Sequence, residues 1–169
     1  MKIIPRLDAG PVLVKSKIKI LKDTNFENLS DELSKLGSKL ILKSIDLIEN
    51  KKDKYIDQDE SQASYAKKVE KSEAKINWSE KAKFVLAKIN ALNPNPGSWF
   101  EYKGSRLKII KAIEVEQLGK PGQIMNDKFT IACSENAIQI LEIKKEGKKG
   151  MPVSEYLKGN ELIIGTNVG

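Results

Sequence analysis

Residues 98–115 read SWFEYKGSRLKIIKAIEV, and this stretch decides the fold of the second part of the chain. Apolar and polar side chains alternate on both sides of Lys103-Gly104-Ser105, which has the composition of a turn. A period of two is typical of strands that bury one face. The sequence therefore predicts strands near 98–102 and 106–116.

More strands are predicted towards the C-terminus, near 122–125, 128–133 and 137–143, with a last short one near 161–165. Turn-forming residues separate them. The basic loop 147–152 leads into a helical turn at Val153–Leu157. Short strands at such close spacing predict a small barrel or sandwich, and the basic loops favour an OB-like barrel.

Upstream of these strands the apolar period becomes helical. A helix is expected from Ser79, as the N-cap, to about Ala91, and the run Asn93-Pro94-Asn95-Pro96-Gly97 ends it. Residues 50–75 are polar and aperiodic, which indicates a linker.

The first part of the chain contains a longer helix, from a capping box at Thr24 and Glu27 to about Glu49. Its wide apolar face is typical of a helix packed on a sheet. Only two short strands are expected before it, at Ile3-Ile4 and in the alternating stretch 12–20, so most of that sheet is missing. The fold class is accordingly mixed α and β.

The 169 residues carry a net charge of +7, and the excess is uneven. Residues 1–60 hold 12 basic against 11 acidic side chains, whereas residues 61–169 hold 18 against 12. A basic domain attracts phosphate backbones through counterion release. Of the 30 basic residues 28 are lysines, so the alternative of a lysine-rich composition without a nucleic-acid partner stays open.

Some kinds of chemistry are excluded by composition. The chain has no histidine, so a Ser-His-Asp or Cys-His centre cannot be built from it alone. Its one cysteine, Cys133, lies in an apolar run and is interpreted as a buried side chain. No metal-ligand cluster is expected. No apolar run reaches membrane-spanning length and no signal peptide is apparent, so no membrane partner and a cytoplasmic location are expected.

Asp8 is the candidate catalytic residue. It lies in Leu7-Asp8-Ala9-Gly10-Pro11, where a strand is expected to break at a turn. Such breaks are where α/β folds place functional groups, but an aspartate that bonds its own backbone fits the residues equally well.

The chain resembles methionyl-tRNA formyltransferases. Five segments match that family in its order: MKIIPRLDAGPVL at 1–13; QDES at 58–61 with Ser64-Tyr65-Ala66 and Lys68; INWS at 76–79 with NPNPGSW at 93–99; RLKI at 106–109; and GKKGM at 147–151 with EYLKG at 155–159. Their order over nearly the whole chain makes the resemblance specific.

The resemblance implies a Rossmann-like domain that binds 10-formyltetrahydrofolate, followed by an OB-like domain that grips initiator methionyl-tRNA. The expected division is 1–52, a remnant of the catalytic domain; 53–72, linker; and 73–169, the OB-like domain. Asp8 matches the catalytic aspartate. Leu7, Ala9 and Gly10 are expected on the folate side of its loop. The expected tRNA contacts are Lys68, Arg106, Lys108, Lys148 and Lys149.

Some family features are not found in these residues. The asparagine and histidine of the family's centre, its main folate-binding segment and its tRNA-binding loop align upstream of Met1, and Asn95 stands where relatives often carry an aromatic residue. We therefore expect a fragment that is inactive alone, with a separately encoded N-terminal half as a possible partner. Two alternatives remain: a non-catalytic RNA-binding module, or a related formyltransferase that acts on a sugar nucleotide or another small amine.

Overall fold

The computed structural model describes Met1–Val168 and divides the chain into two units. The first unit contains residues 1–22 and 28–68. The second contains residues 23–27 and the chain from Val69 onwards. The boundary between Lys68 and Val69 falls within the stretch 53–72 that the sequence assigns to the linker.

The second unit contains an antiparallel sheet, as the alternating pattern predicted. Its strands are β1 (Trp99–Tyr102), β2 (Ser105–Val115), β3 (Thr130–Ala132), β4 (Ala137–Lys145) and β5 (Met151–Pro152). The order is β1-β2-β4-β3, with β5 also paired to β4. Within Met1–Val168 these pairings do not close the sheet, so the OB-like barrel remains an expectation rather than an observation.

The strands predicted near 122–125 and 161–165 are not strands. Each segment contributes or adjoins only isolated bridges, Ile124 with Ile131 and Gln123 with Asn167. Gly122 and Gly165 have φ of 84° and 87°, a left-handed conformation that extended strands do not adopt. Conversely, β5 lies in the basic loop, where no strand was predicted.

Two helices accompany the sheet, α2 (Ala82–Leu92) and α3 (Val153–Leu157). The helical turn predicted at 153–157 is confirmed, whereas the predicted N-cap of α2 at Ser79 is wrong. Ser79 lies in the preceding turn, and its amide donates to the side chain of Asn77. The helix starts later because the amide of Ala82 donates to the carbonyl of Glu135, 3.0 Å away, in the turn between β3 and β4.

The core of the second unit is centred on aromatic rings. Phe129 is fully buried, and its ring centroid lies 5.8 Å from that of Phe100, 5.7 Å from Tyr102 and 6.2 Å from Tyr156. Such pairs add stability beyond the area they bury. Alternate residues of β2 and β4 complete the core and leave the opposite face of the sheet to polar side chains.

The first unit contains the long helix α1 (Phe26–Glu49), close to its predicted bounds. No residue of α1 is fully buried. The strand predicted within 12–20 is wrong: only Val12 pairs, with Ile56, through two hydrogen bonds of 2.8 and 2.9 Å. A strand needs a partner along its length, and the described part of this unit offers one only at that point. In Met1–Val168, none of the helices combines the length and apolarity needed to cross a membrane.

Candidate nucleic-acid interface and the Asp8 loop

The polar face of the sheet carries a row of cations beside an aromatic ring. Trp99 on β1 is directly opposite Lys108 on β2, and Lys108 is directly opposite Lys144 on β4. Three neighbouring strands therefore bring one indole ring and two ammonium groups side by side. Two like charges directly opposite each other destabilise a sheet, so this arrangement favours a bound anion.

A cleft of about 480 Å³ opens on this row. We call it the basic cleft. Five cationic side chains and one acidic one, Glu146, line it. The cations are Lys71, Arg106, Lys108, Lys144 and Lys145. A concave surface with this excess of positive charge concentrates the field on anions such as phosphates.

Trp99 holds cations against its ring. The guanidinium carbon of Arg106 lies 3.8 Å from the ring centroid, which is stacking distance, and the ammonium of Lys75 lies 5.6 Å away. A cation over an indole ring is attracted by the ring's quadrupole. Trp99 is half-buried and Arg106 is exposed, so the guanidinium is fixed in place while its N–H groups face solvent.

The loop 93–97 forms one wall of the cleft and is tied to β2. The ammonium of Lys108 donates to the carbonyl of Pro96 over 2.6 Å, and the side-chain amide of Asn93 donates to the carbonyl of Ile110 over 2.9 Å. The bonds Asn93-Pro94 and Asn95-Pro96 are cis. Lys108 thus has a structural hydrogen bond and still contributes its charge to the cleft.

The structure brings some of the predicted nucleic-acid contacts together. Arg106 and Lys108 both line the basic cleft. Lys148 and Lys149 are exposed in the turn that follows β4, directly after the cleft residue Gly147. Lys68 belongs to the first unit and is not grouped with them.

Sequence reasoning missed several cleft residues, namely Lys71, Lys144, Lys145 and the role of Trp99. Trp99 was noted only as part of a matching segment. The lysines carried no local signal, because what distinguishes them is the strand register that places them beside Trp99 and Lys108.

The candidate catalytic residue lies in the first unit, in a turn with defined supports. Asp8 is exposed and has φ of 53°, a left-handed conformation that aspartate tolerates. The side-chain amide of Gln58 donates to the carbonyl of Asp8 over 2.9 Å and to that of Gly10 over 2.7 Å. Gly10 is buried, and a Cβ there would lie 1.8 Å from the carbonyl oxygen of Lys2. We call this segment, 7–11 with Gln58, the Asp8 loop.

A cavity of about 830 Å³ lies beside the Asp8 loop. Leu7, Asp8 and Ala9 line it, whereas Gly10 is not among its lining residues. Its other wall includes Asp59, which caps the short turn Glu60–Gln62. Hydrogen bonds from the Ser61 hydroxyl, the Gln62 side chain and the Ser61 amide lower the pKa of Asp59. This carboxylate is therefore held ionised, and the volume is within the range of about 300–1,000 Å³ that small-molecule sites occupy.

Cys133 is buried, as predicted from its apolar run. Burial, followed by the charges of Glu114 and Glu80, raises the pKa of its thiol to about 12. The reactive thiolate is therefore suppressed at neutral pH. Among the described side chains, no group of three histidine, cysteine or carboxylate residues is placed to hold a metal ion.

The second unit is thus a mixed α and β domain with a cationic cleft on an antiparallel sheet. Residues 68–161 match the family described as formyl transferase, C-terminal domain. The chain belongs to this family, and the resemblance seen in the sequence is confirmed.

Curated relatives extend the match to nearly the whole chain. The methionyl-tRNA formyltransferase of Pelagibacter ubique is 38% identical over 169 residues, covering 99% of this chain and 54% of that protein. The methionyl-tRNA formyltransferase of Bradyrhizobium diazoefficiens is 35% identical, covering 98% of this chain and 54% of that protein. The chain therefore spans about half the length of these relatives.

Solved structures support the fold. A multiply substituted variant of HypX from Aquifex aeolicus superposes with a TM-score of 0.70 at 22% identity, covering 95% of this chain and 30% of that one. HypX in complex with tetrahydrofolic acid gives a TM-score of 0.68 at 21% identity, covering 96% of this chain and 32% of that one.

Proposed function

We propose that these residues form the C-terminal half of a methionyl-tRNA formyltransferase. The reaction would move a formyl group from 10-formyltetrahydrofolate to the amino group of methionyl initiator tRNA in the cytoplasm. The proposal rests on family membership together with one structural observation, the basic cleft. The first unit would be the remnant of a Rossmann-like domain, and the second an OB-like domain.

The basic cleft supports binding of RNA. Its lysines and Arg106 can neutralise backbone phosphates, and Lys148 and Lys149 extend the cationic surface along the chain. Lysine contacts of this kind give affinity and position rather than base identity. We therefore assign this surface to gripping the tRNA backbone, while selection of the initiator tRNA would rest on other residues.

Asp8 would act in the transfer step. In the proposed mechanism it orients a histidine and helps to remove the proton that the attacking amine releases. The histidine and an asparagine would stabilise the oxyanion that develops on the formyl oxygen. Neither partner is supplied by this chain as the family places them, so a separately encoded N-terminal half is proposed to provide both. Leu7, Ala9 and Gly10 would shape the folate side of the cavity.

The test is a formylation assay with methionyl initiator tRNA and 10-formyltetrahydrofolate. The chain alone should give no formyl-methionyl-tRNA. Adding the part of the Pelagibacter ubique relative that lies outside the match should restore product, and Asp8→Asn should reduce it by about 10²-fold or more. Formylation by the chain alone would refute the proposal that it needs a second half.

A non-catalytic RNA-binding module is the second candidate. The observation in its favour is that the basic cleft lies entirely within the second unit, whereas Asp8 has no described catalytic partner. RNA binding that is strong and salt-dependent, with no formylation in any combination, would favour this candidate. A formyltransferase for a sugar nucleotide would instead transfer formyl to that amine and show no RNA affinity.

A further inference from the structure

The stacked pair of Arg106 and Trp99 carries an inference that rests on the proposed RNA-binding function. We propose that Trp99 is a positioning residue that holds the Arg106 guanidinium as a fixed fork for one phosphodiester of an RNA backbone. The pair, with Lys144 and Lys145, forms what we call the phosphate subsite.

The geometry of the pair argues for this role. Arg106 lies directly opposite Glu101 on β1, so Trp99 is its diagonal neighbour on the same face of the sheet. The guanidinium nevertheless stacks on Trp99, at 3.8 Å, and it makes no ion pair with Glu101 in the described structure. A guanidinium whose plane is fixed by stacking keeps its N–H groups in a fork that matches two phosphate oxygens.

The surroundings of the pair point to an extended polyanion rather than to a small phosphorylated molecule. Lys71, Lys108, Lys144 and Lys145 line the same cleft, and Glu146 is its only acidic lining residue. This is more positive charge than one diphosphate would neutralise. The exposed Lys148 and Lys149 continue it beyond the cleft.

Arginine provides a selective spectroscopic probe, because the chain contains only Arg6 and Arg106. In the ¹⁵N-labelled full chain the Nε–H signal of Arg106 should be shifted by the indole ring current. It should move saturably on titration with inorganic phosphate. Arg6, which pairs with Glu60 in the first unit, is the internal reference. Trp99→Leu should remove both effects and Trp99→Phe should largely retain them.

Affinity for an RNA hairpin then tests the role of the fork. Arg106→Gln should weaken binding by about tenfold and lower the salt slope by about 1. Arg106→Lys keeps the charge and should still lose about threefold or more, because an ammonium cannot bind two oxygens in a fork. Trp99→Leu should match Arg106→Lys, with Trp99→Phe close to wild type. The control Lys111→Gln removes one exposed charge of the same strand that does not line the cleft.

The outcomes separate this inference from the proposed function. RNA binding by the wild type, with Arg106→Gln no weaker than Lys111→Gln, would overturn the phosphate subsite and leave RNA binding standing. An Arg106 signal insensitive to phosphate would also overturn the subsite. UDP that saturates the Arg106 shift at lower concentration than the hairpin would overturn the assignment to RNA. No RNA binding by the wild type would refute the proposed function itself.

Discussion

Gly10 occupies a place in the Asp8 loop that no side chain can share. A Cβ on Gly10 would lie 1.8 Å from the backbone oxygen of Lys2, so the loop would have to move. Gly10→Ala should therefore expose the amides of Lys2, Val12 and Ile56, whose hydrogen bonds hold the loop. We expect a loss of about 1–3 kcal/mol in local stability, measured by hydrogen exchange of these amides.

Gly37 is the matched control for that substitution. It lies in α1, and nothing is within 4 Å of a Cβ built on it. Gly37→Ala should stabilise α1 by up to about 1 kcal/mol, because alanine has the better helix propensity. Unchanged loop exchange in Gly10→Ala would show that the loop does not depend on the close approach to Lys2.

Cys133 should be inert while the second unit is folded. Its thiol pKa is raised from 9.0 to about 12, mainly by burial. The folded state thus binds this proton more tightly, which contributes stability that is present below pH 9 and is lost as pH rises towards about 12. Iodoacetamide at pH 8 should label Cys133 far more slowly in the native chain than in concentrated urea. Equal rates would show that the thiol is accessible.

At the scale of elements, the row across β1, β2 and β4 sets binding against stability. Lys108 and Lys144 are directly opposite, a like-charge pair that destabilises the sheet. Lys144→Gln should raise the free energy of unfolding by up to about 1 kcal/mol at low salt. The same change should weaken RNA binding, and urea unfolding with hairpin titration measures both effects.

Lys111 again provides the control, because its cross-strand partner is Glu142, an opposite charge. Lys111→Gln should lower stability slightly and leave RNA affinity nearly unchanged. If Lys144→Gln and Lys111→Gln shift stability in the same direction, cross-strand charge does not govern this sheet.

The same elements show what the sequence could predict. β1, β2 and β4 were predicted within two residues or so, because alternation is a local property of the chain. The start of α2 was missed, since it depends on the distant carbonyl of Glu135. The lysines opposite Trp99 and Lys108 were missed for a related reason. Register depends on how strands pair, and here an irregularity between Ile109 and Ala112 also shifts it.

For the molecule as a whole, the two units differ in how much apolar surface they bury. The second unit has a core of fully buried aromatic and aliphatic side chains, whereas α1 in the first has no fully buried residue. Phe26, Leu33, Ile41, Leu42, Ile45 and Ile48 of α1 are about half exposed or more. Burial of apolar area is the main source of helix stability in proteins, so α1 lacks much of it.

Hydrogen exchange of the full chain should therefore give two levels of protection. Amides of β2 and β4 should exchange only through global unfolding of the second unit, whereas those of α1 should exchange through local opening at much lower free energy. Adding the part of the Pelagibacter ubique relative outside the match should slow exchange in α1 and leave β4 unchanged, because that part would cover the apolar face. Protection of α1 equal to that of β4 in a monomeric chain would contradict this expectation. Slow exchange that appears only as the chain concentration rises would identify self-association as what covers the helix.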